Sequence, residues 1–180
     1  MTTALDLSNL RPGFQDPVRE AQAAFRLILE AMSNPGSIKS LMLATEAPEG
    51  VGSAAGAVLL TLADMDTPVW LSPSLAGGDL SIWLRFHCNS PLTSDPSAAA
   101  FSLAICDDTL LDLNQFNLGD AKYPDRATTL ILVLPSLTGG DTVRLQGPGI
   151  ENEVTIAPCG LPADFWSART EVNSKFQFGI

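Results

Sequence analysis

An apolar run that halts at two carboxylates does most to limit the folds open to this chain. Residues 53–63 are small and then leucine-rich, Asp64-Met65-Asp66 ends the run, Thr67-Pro68 turns the backbone, and Val69-Trp70-Leu71 follows as a short apolar segment. Small side chains let a helix approach its neighbour closely, so 53–63 reads as a helix packed against a sheet and 69–71 as a strand of that sheet. The unit is therefore helix, polar turn, strand.

The same alternation runs along the chain. Asp16-Pro17 opens a helix, because an aspartate caps free N–H groups and a proline in the first turn gives up a donor that has no partner there. Val18, Ala21, Phe25, Ile28, Leu29 and Met32 fall on one face of it, whereas Arg19, Gln22, Arg26 and Glu30 point elsewhere, and Asn34-Pro35-Gly36 ends it. The pattern then predicts a strand over 37–43 and a loop over 46–50. Gly77-Gly78-Asp79 starts a short helix with Leu80, Trp83, Leu84 and His87 on one side. A strand is expected over 101–106, followed by a helix from Asp107-Asp108 to about residue 116, with the carboxylates at its positive end. The last third reads as a meander of strands over 128–134, 142–146 and 151–156 with a turn at Gly139-Gly140-Asp141, then a helix over 162–173 carrying Phe165 and Trp166. With no internal repeat or long linker, these elements predict an α/β fold with a mixed sheet, in a single domain over 1–180 whose first 15 residues form an extended arm.

Composition narrows the function. With 180 residues, 46% of them hydrophobic and 17% charged, the chain can bury a core without disulfides or metal. A net charge of −10 argues against tracking nucleic-acid phosphates, and acidity also disfavours unaided capture of a triphosphate or phosphonate. The N-terminus has neither the basic nor the apolar region of a secretory signal, and no apolar run is long enough to span a bilayer, so a cytoplasmic protein with no membrane role is expected. Cys88, Cys106 and Cys159 are far apart, lack C-x-x-C spacing, and read as buried reduced thiols.

Four patterns bear on chemistry. Gly50-Val51-Gly52-Ser53-Ala54-Ala55-Gly56 has dinucleotide-loop glycines, but Glu46 and Glu49 precede it where a strand should lead directly in, so a glycine-rich helix entry is the better reading. Asp64-Met65-Asp66 could ligate Mg²⁺ or supply a nucleophile and an acid, or it could be a plain polar turn. Arg85 and His87, the only histidine, could bind an anion and move a proton near neutral pH, or His87 could bond a turn carbonyl. Lys39, Lys122 and Lys175 are the only lysines, and none has a recognisable Schiff-base setting. No G-x-x-x-x-G-K-[ST] loop or G-x-S-x-G elbow occurs, so no cofactor is assigned.

The segments LLTLADMDTPVWL from Leu59 and LRFHCNSPL from Leu84 have the look of a signature. They occur in order with Phe25-Arg26, Ala31-Met32-Ser33-Asn34-Pro35-Gly36, Arg126-Ala127-Thr128-Thr129-Leu130 and Arg144-Leu145-Gln146-Gly147-Pro148-Gly149-Ile150. This set resembles the PhnH family of the bacterial carbon-phosphorus lyase pathway, which degrades organophosphonates. The resemblance implies a three-layer domain like that of pyridoxal-phosphate-dependent transferases but without the cofactor, and a homodimer in isolation. It also implies assembly with the G, I and J subunits of the core complex. With G, I and L the family supports attack of an alkylphosphonate on the ribose of ATP, giving ribose 1-alkylphosphonate 5-triphosphate. Arg26, Asp64, Asp66, Arg85, His87 and Arg126 are the family-motif positions proposed as candidate anion-binding sites, with no catalytic residue among them. The family's terminal Pro-Arg-Thr-Thr segment and its strand are expected to be missing here.

An accessory subunit is therefore the expected function. Two other classes stay open: a free-standing Mg²⁺-dependent phosphotransferase or phosphohydrolase using Asp64 and Asp66, and a module that holds an anionic intermediate with Arg85 and His87.

Overall fold

A computed structural model describes residues 10–42, 45–106 and 112–175, and these form two compact units. The first holds Leu10 and Arg11 with the described parts of 63–133 and 162–175; the second holds the described parts of 12–62 and 134–161.

In the first unit β1 (Val69–Leu71), β2 (Leu92–Thr93), β3 (Phe101–Ile105) and β4 (Thr129–Val133) make one sheet in the order β2-β1-β3-β4. Every pairing in it is parallel, with Val69 opposite both Leu92 and Phe101, and Phe101 opposite Thr129. The expected mixed sheet is thus replaced by a parallel one. Parallel neighbours need a crossover, and α1 (Asp79–Cys88) supplies it between β1 and β2. Asn89 ends that helix at φ 53°, a left-handed conformation asparagine tolerates better than most residues.

Alternation across the strands explains the core. Trp70, Ala104, Leu130 and Leu132 share a face and pack with Leu113, Phe116 and Val172. The Trp70 and Phe116 rings meet edge to face at 5.5 Å. Phe165, Ala168 and Val172 come from α2 (Phe165–Lys175), the helix expected near the C-terminal end. Val69, Leu71 and Leu103 point to the other face and are also buried, as a parallel sheet covered on both sides requires. Thr128 fastens the entry to β4: its amide donates to the Asn117 carbonyl at 2.8 Å, and its hydroxyl donates to the Ala99 carbonyl at 2.7 Å.

In the second unit α3 (Pro17–Ser33) packs along α4 (Gly52–Leu62). Asp16 caps α3 as expected, accepting from the Arg19 amide at 3.2 Å. Gly56, Ala57 and Leu59 are buried on α4, and Ala24 is the one fully buried residue of α3. β5 (Val143–Leu145) and β6 (Val154–Ile156) form a separate antiparallel pair.

Three further expectations change. Residues 37–42 are not a strand, although Ile38, Ser40 and Met42 alternate with Lys39 and Leu41 in burial; residues 43–44 lie outside the described residues. The pattern suits a strand, but among the described residues no strand pairs with this segment, and the Ser37 amide turns back to the Asn34 carbonyl at 3.0 Å. The meander is also broken, because β4 joins β3 in parallel and leaves β5 and β6 to pair with each other. Of the helix expected up to residue 116, residues 107–111 lie outside the described ones, and Leu113–Gln115 form a single 3₁₀ turn capped by Asp112.

Candidate functional site

The part of the first signature segment from Ala63 onward meets the second segment in the first unit. Asp64 to Thr67 is a turn closed on itself: the Asp64 carboxylate accepts from the Asp66 amide at 2.9 Å and from the Thr67 hydroxyl at 3.0 Å. The Thr67 hydroxyl oxygen in turn accepts from the Asp64 amide at 2.6 Å. From the second segment, Ser90 donates its hydroxyl to the Thr67 carbonyl at 2.7 Å, and the Val69 amide donates to the Pro91 carbonyl at 2.8 Å. These bonds hold the C-terminal end of α1 beside the Asp64 turn. Cys88 at that end has its thiol pushed up from 9.0 to about 11, first by burial and then by the Asp64 charge.

Arg85 and His87 leave the same turn of α1 in different directions, since residues two apart do not face each other on a helix. Arg85 is exposed and makes no ion pair among the described residues. His87 is half-buried, its Nε2 lies 3.0 Å from the Arg11 carbonyl oxygen, and its ring touches Trp83 and Phe86 edge to face at 5.2 and 5.0 Å. Asp66 is exposed in the turn. Among the described residues no group of three or more His, Cys, Asp or Glu is placed to hold a metal.

Arg126 belongs to another constellation of this unit. Its guanidinium lies 4.0 Å from the centre of the Tyr123 ring, and the Lys122 ammonium lies 5.0 Å from the same ring. The loop is pinned by Asp120, whose carboxylate accepts from the Lys122 and Tyr123 amides at 2.7 Å each. Tyr123 escaped the sequence reading; its signal was a lone tyrosine set between two cations.

Arg26 lies on α3 in the second unit and is exposed. Two further motif blocks of that unit converge there. Residues 34–37 and 149–154 line a cavity of about 320 Å³. Both contribute glycines with positive φ, Gly36 at 86° and Gly149 at 82°. Close packing is the reason for glycine at 36, because a Cβ there would lie 2.2 Å from Val154 Cγ1.

The signature segments, the Arg126 block and the two glycine blocks are thus all placed among the described residues, and comparison with known proteins gives the family they come from. Residues 12–180 match the family described as bacterial phosphonate metabolism protein (PhnH). The chain belongs to the PhnH family. One relative, the alpha-D-ribose 1-methylphosphonate 5-triphosphate synthase subunit PhnH of Rhizobium meliloti (strain 1021), is 41% identical over 162 residues, covering 88% of this chain and 81% of the relative. A second, from Stutzerimonas stutzeri and named provisionally as the C-P lyase subunit protein HtxG, is 30% identical over 161 residues, covering 88% of this chain and 75% of the relative. The PhnH match takes in every candidate position, from Arg26 to Arg126. No helix among the described residues is long and apolar enough to cross a membrane.

Proposed function

We propose that this chain is an accessory subunit of a carbon-phosphorus lyase system in organophosphonate catabolism, supporting formation of ribose 1-alkylphosphonate 5-triphosphate from ATP and an alkylphosphonate. The observation that carries this reading is the 41% identity, over 88% of the chain, to a protein named as a subunit of the alpha-D-ribose 1-methylphosphonate 5-triphosphate synthase. The side chains fit an accessory part. The Asp64 carboxylate is engaged by its own turn, and Arg85 and His87 diverge, so neither pair converges on one reacting atom.

Within that reading the partners are the G, I and J subunits, with L joining the reaction, and the isolated protein is a cytoplasmic homodimer. The two units act together as one PhnH-like domain over 1–180, of the pyridoxal-phosphate-transferase type without its cofactor. Support for this is that one family match runs through both units. Arg26, Arg85, His87 and Arg126, with Asp64 and Asp66, serve as positioning or anion-contacting residues and not as catalysts.

Tagged protein purified from cells growing on methylphosphonate tests the reading. Companion subunits in fixed stoichiometry are expected, with synthase activity in the assembly and none in the isolated chain. Turnover of ATP or a phosphonate by the solitary protein, lost on a single Asp64→Asn change, overturns it.

A further inference from the structure

Helix α3 carries more apolar surface than its own unit covers. Ala24 is buried, and Ala21, Leu27, Ile28 and Ala31 are half-buried on the same side. The remainder of the apolar arc is open: Val18 is 81%, Phe25 50%, Leu29 57% and Met32 67% exposed. Val18, Phe25 and Met32 recur every seven residues, and Leu29 falls four after Phe25 and three before Met32. The polar Gln22, at the border of the face read from the sequence, occupies the remaining step, so a seam apolar at four of its five positions has the 4,3 spacing by which helices pair. A stripe of this kind marks a protein contact.

Charge along the seam selects the occupant. Arg19 and Arg26 run along one edge of the stripe, and Ala21 and Ile28 along the other. Arg26 has Glu30 one turn away, but Glu30 is held by Lys39, and Arg26 makes no ion pair among the described residues. Arg19 reaches only the exposed Asp16, at 3.6 Å. If two copies paired antiparallel along this seam, arginine would face arginine; if parallel, the arginines would face Ala21 and Ile28. Neither arrangement pairs the cations, and like charges set opposite each other are disfavoured.

We propose that this face of α3 docks an acidic amphipathic helix of a companion subunit. That helix presents apolar residues at 3–4 spacing and carboxylates opposite Arg19 and Arg26, which on a helix are about 10 Å apart along the axis. The proposal rests on the accessory-subunit reading and names the surface through which the assembly forms. Cations at the edge of an apolar seam steer the encounter and set its register, and Phe25 and Leu29 supply the desolvated centre.

The test is co-purification of the full tagged chain from cells growing on methylphosphonate, with a photocrosslinking residue at Leu29 and, as control, at Met65, an exposed residue of the first unit. The Leu29 probe is expected to capture one companion subunit at a segment with 3–4 apolar spacing and flanking Asp or Glu, and the Met65 probe not to capture that segment. The double change Arg19→Glu with Arg26→Glu is expected to lower recovery of that subunit at least tenfold, and Arg19→Lys with Arg26→Lys to preserve it. Circular dichroism of the isolated variants confirms that α3 is intact. Undiminished recovery with the reversed charges, or crosslinking at Leu29 to a second copy alone, overturns the docking surface and leaves the accessory role standing. If the unaltered chain recovers no companion subunit, both fall.

Discussion

Gly149 sits against the ring of Pro35: a Cβ at Gly149 would lie 2.9 Å from Pro35 Cδ and 2.9 Å from the Ser33 carbonyl oxygen. This contact joins the loop that ends α3 to the loop between β5 and β6, so two family motifs distant in sequence form one packed junction. Gly149→Ala is expected to destabilise the protein by about 2–4 kcal/mol, from left-handed strain together with a clash against backbone and a rigid ring. Gly52 has φ +75° with nothing within 4 Å, so Gly52→Ala should cost only the strain, about 1–2 kcal/mol. Urea unfolding of the two variants separates the terms; equal losses would show that the junction is loose.

Thr128 should behave as a structural pin. Its hydroxyl both donates to the Ala99 carbonyl and accepts from the Asn117 amide at 3.2 Å. Thr128→Val keeps the shape but leaves both groups without that partner, and should cost about 1–3 kcal/mol. Thr128→Ser should lose less. Thermal melts of the three proteins check the order.

The Cys88 thiol should be sluggish toward alkylating reagents. With its pKa raised from 9.0 to about 11, it carries on the order of a hundredfold less thiolate at pH 8 than an ordinary cysteine. Asp64→Asn should speed iodoacetamide labelling only in part, because burial is the larger cause. Linkage gives a sign as well. A pKa raised in the folded state favours folding fully below pH 9.0, and that contribution is lost as pH climbs through about 11. The stability gap between this protein and its Cys88→Ser variant should therefore narrow or reverse from pH 8 to pH 11 in denaturant titrations.

At Asp64 the turn and a metal site make opposite demands. If the carboxylate acts only through its bonds to the Asp66 amide and the Thr67 hydroxyl, Asp64→Asn keeps an acceptor oxygen and should be nearly neutral, whereas Asp64→Ala should cost about 1 kcal/mol. Calorimetry with Mg²⁺ should show no heat that depends on Asp64. A strong magnesium signal abolished by either change would mean that the turn has a second task.

Where a residue's surroundings lie within a few positions along the chain, they could be read from the sequence alone. Asp16 caps α3, Thr67-Pro68 leads into β1, and Gly78-Asp79 opens α1, because caps, turns and proline geometry act over three or four residues. The family signature was likewise visible in order and spacing. Partnership across the chain was a different matter. Residues 37–42 carry a strand pattern without forming a strand, and β4 pairs in parallel with β3 although its neighbours in sequence suggested a hairpin. Arg85 and His87 are near in sequence yet diverge on α1, while Cys88 comes under the charge of Asp64 from 24 positions away. Alternation of apolar and polar residues records which face must be buried but not what buries it. Strand pairing, the convergence of the glycine loops and the bare stripe on α3 depend on contacts between distant segments, and only the folded chain supplies those.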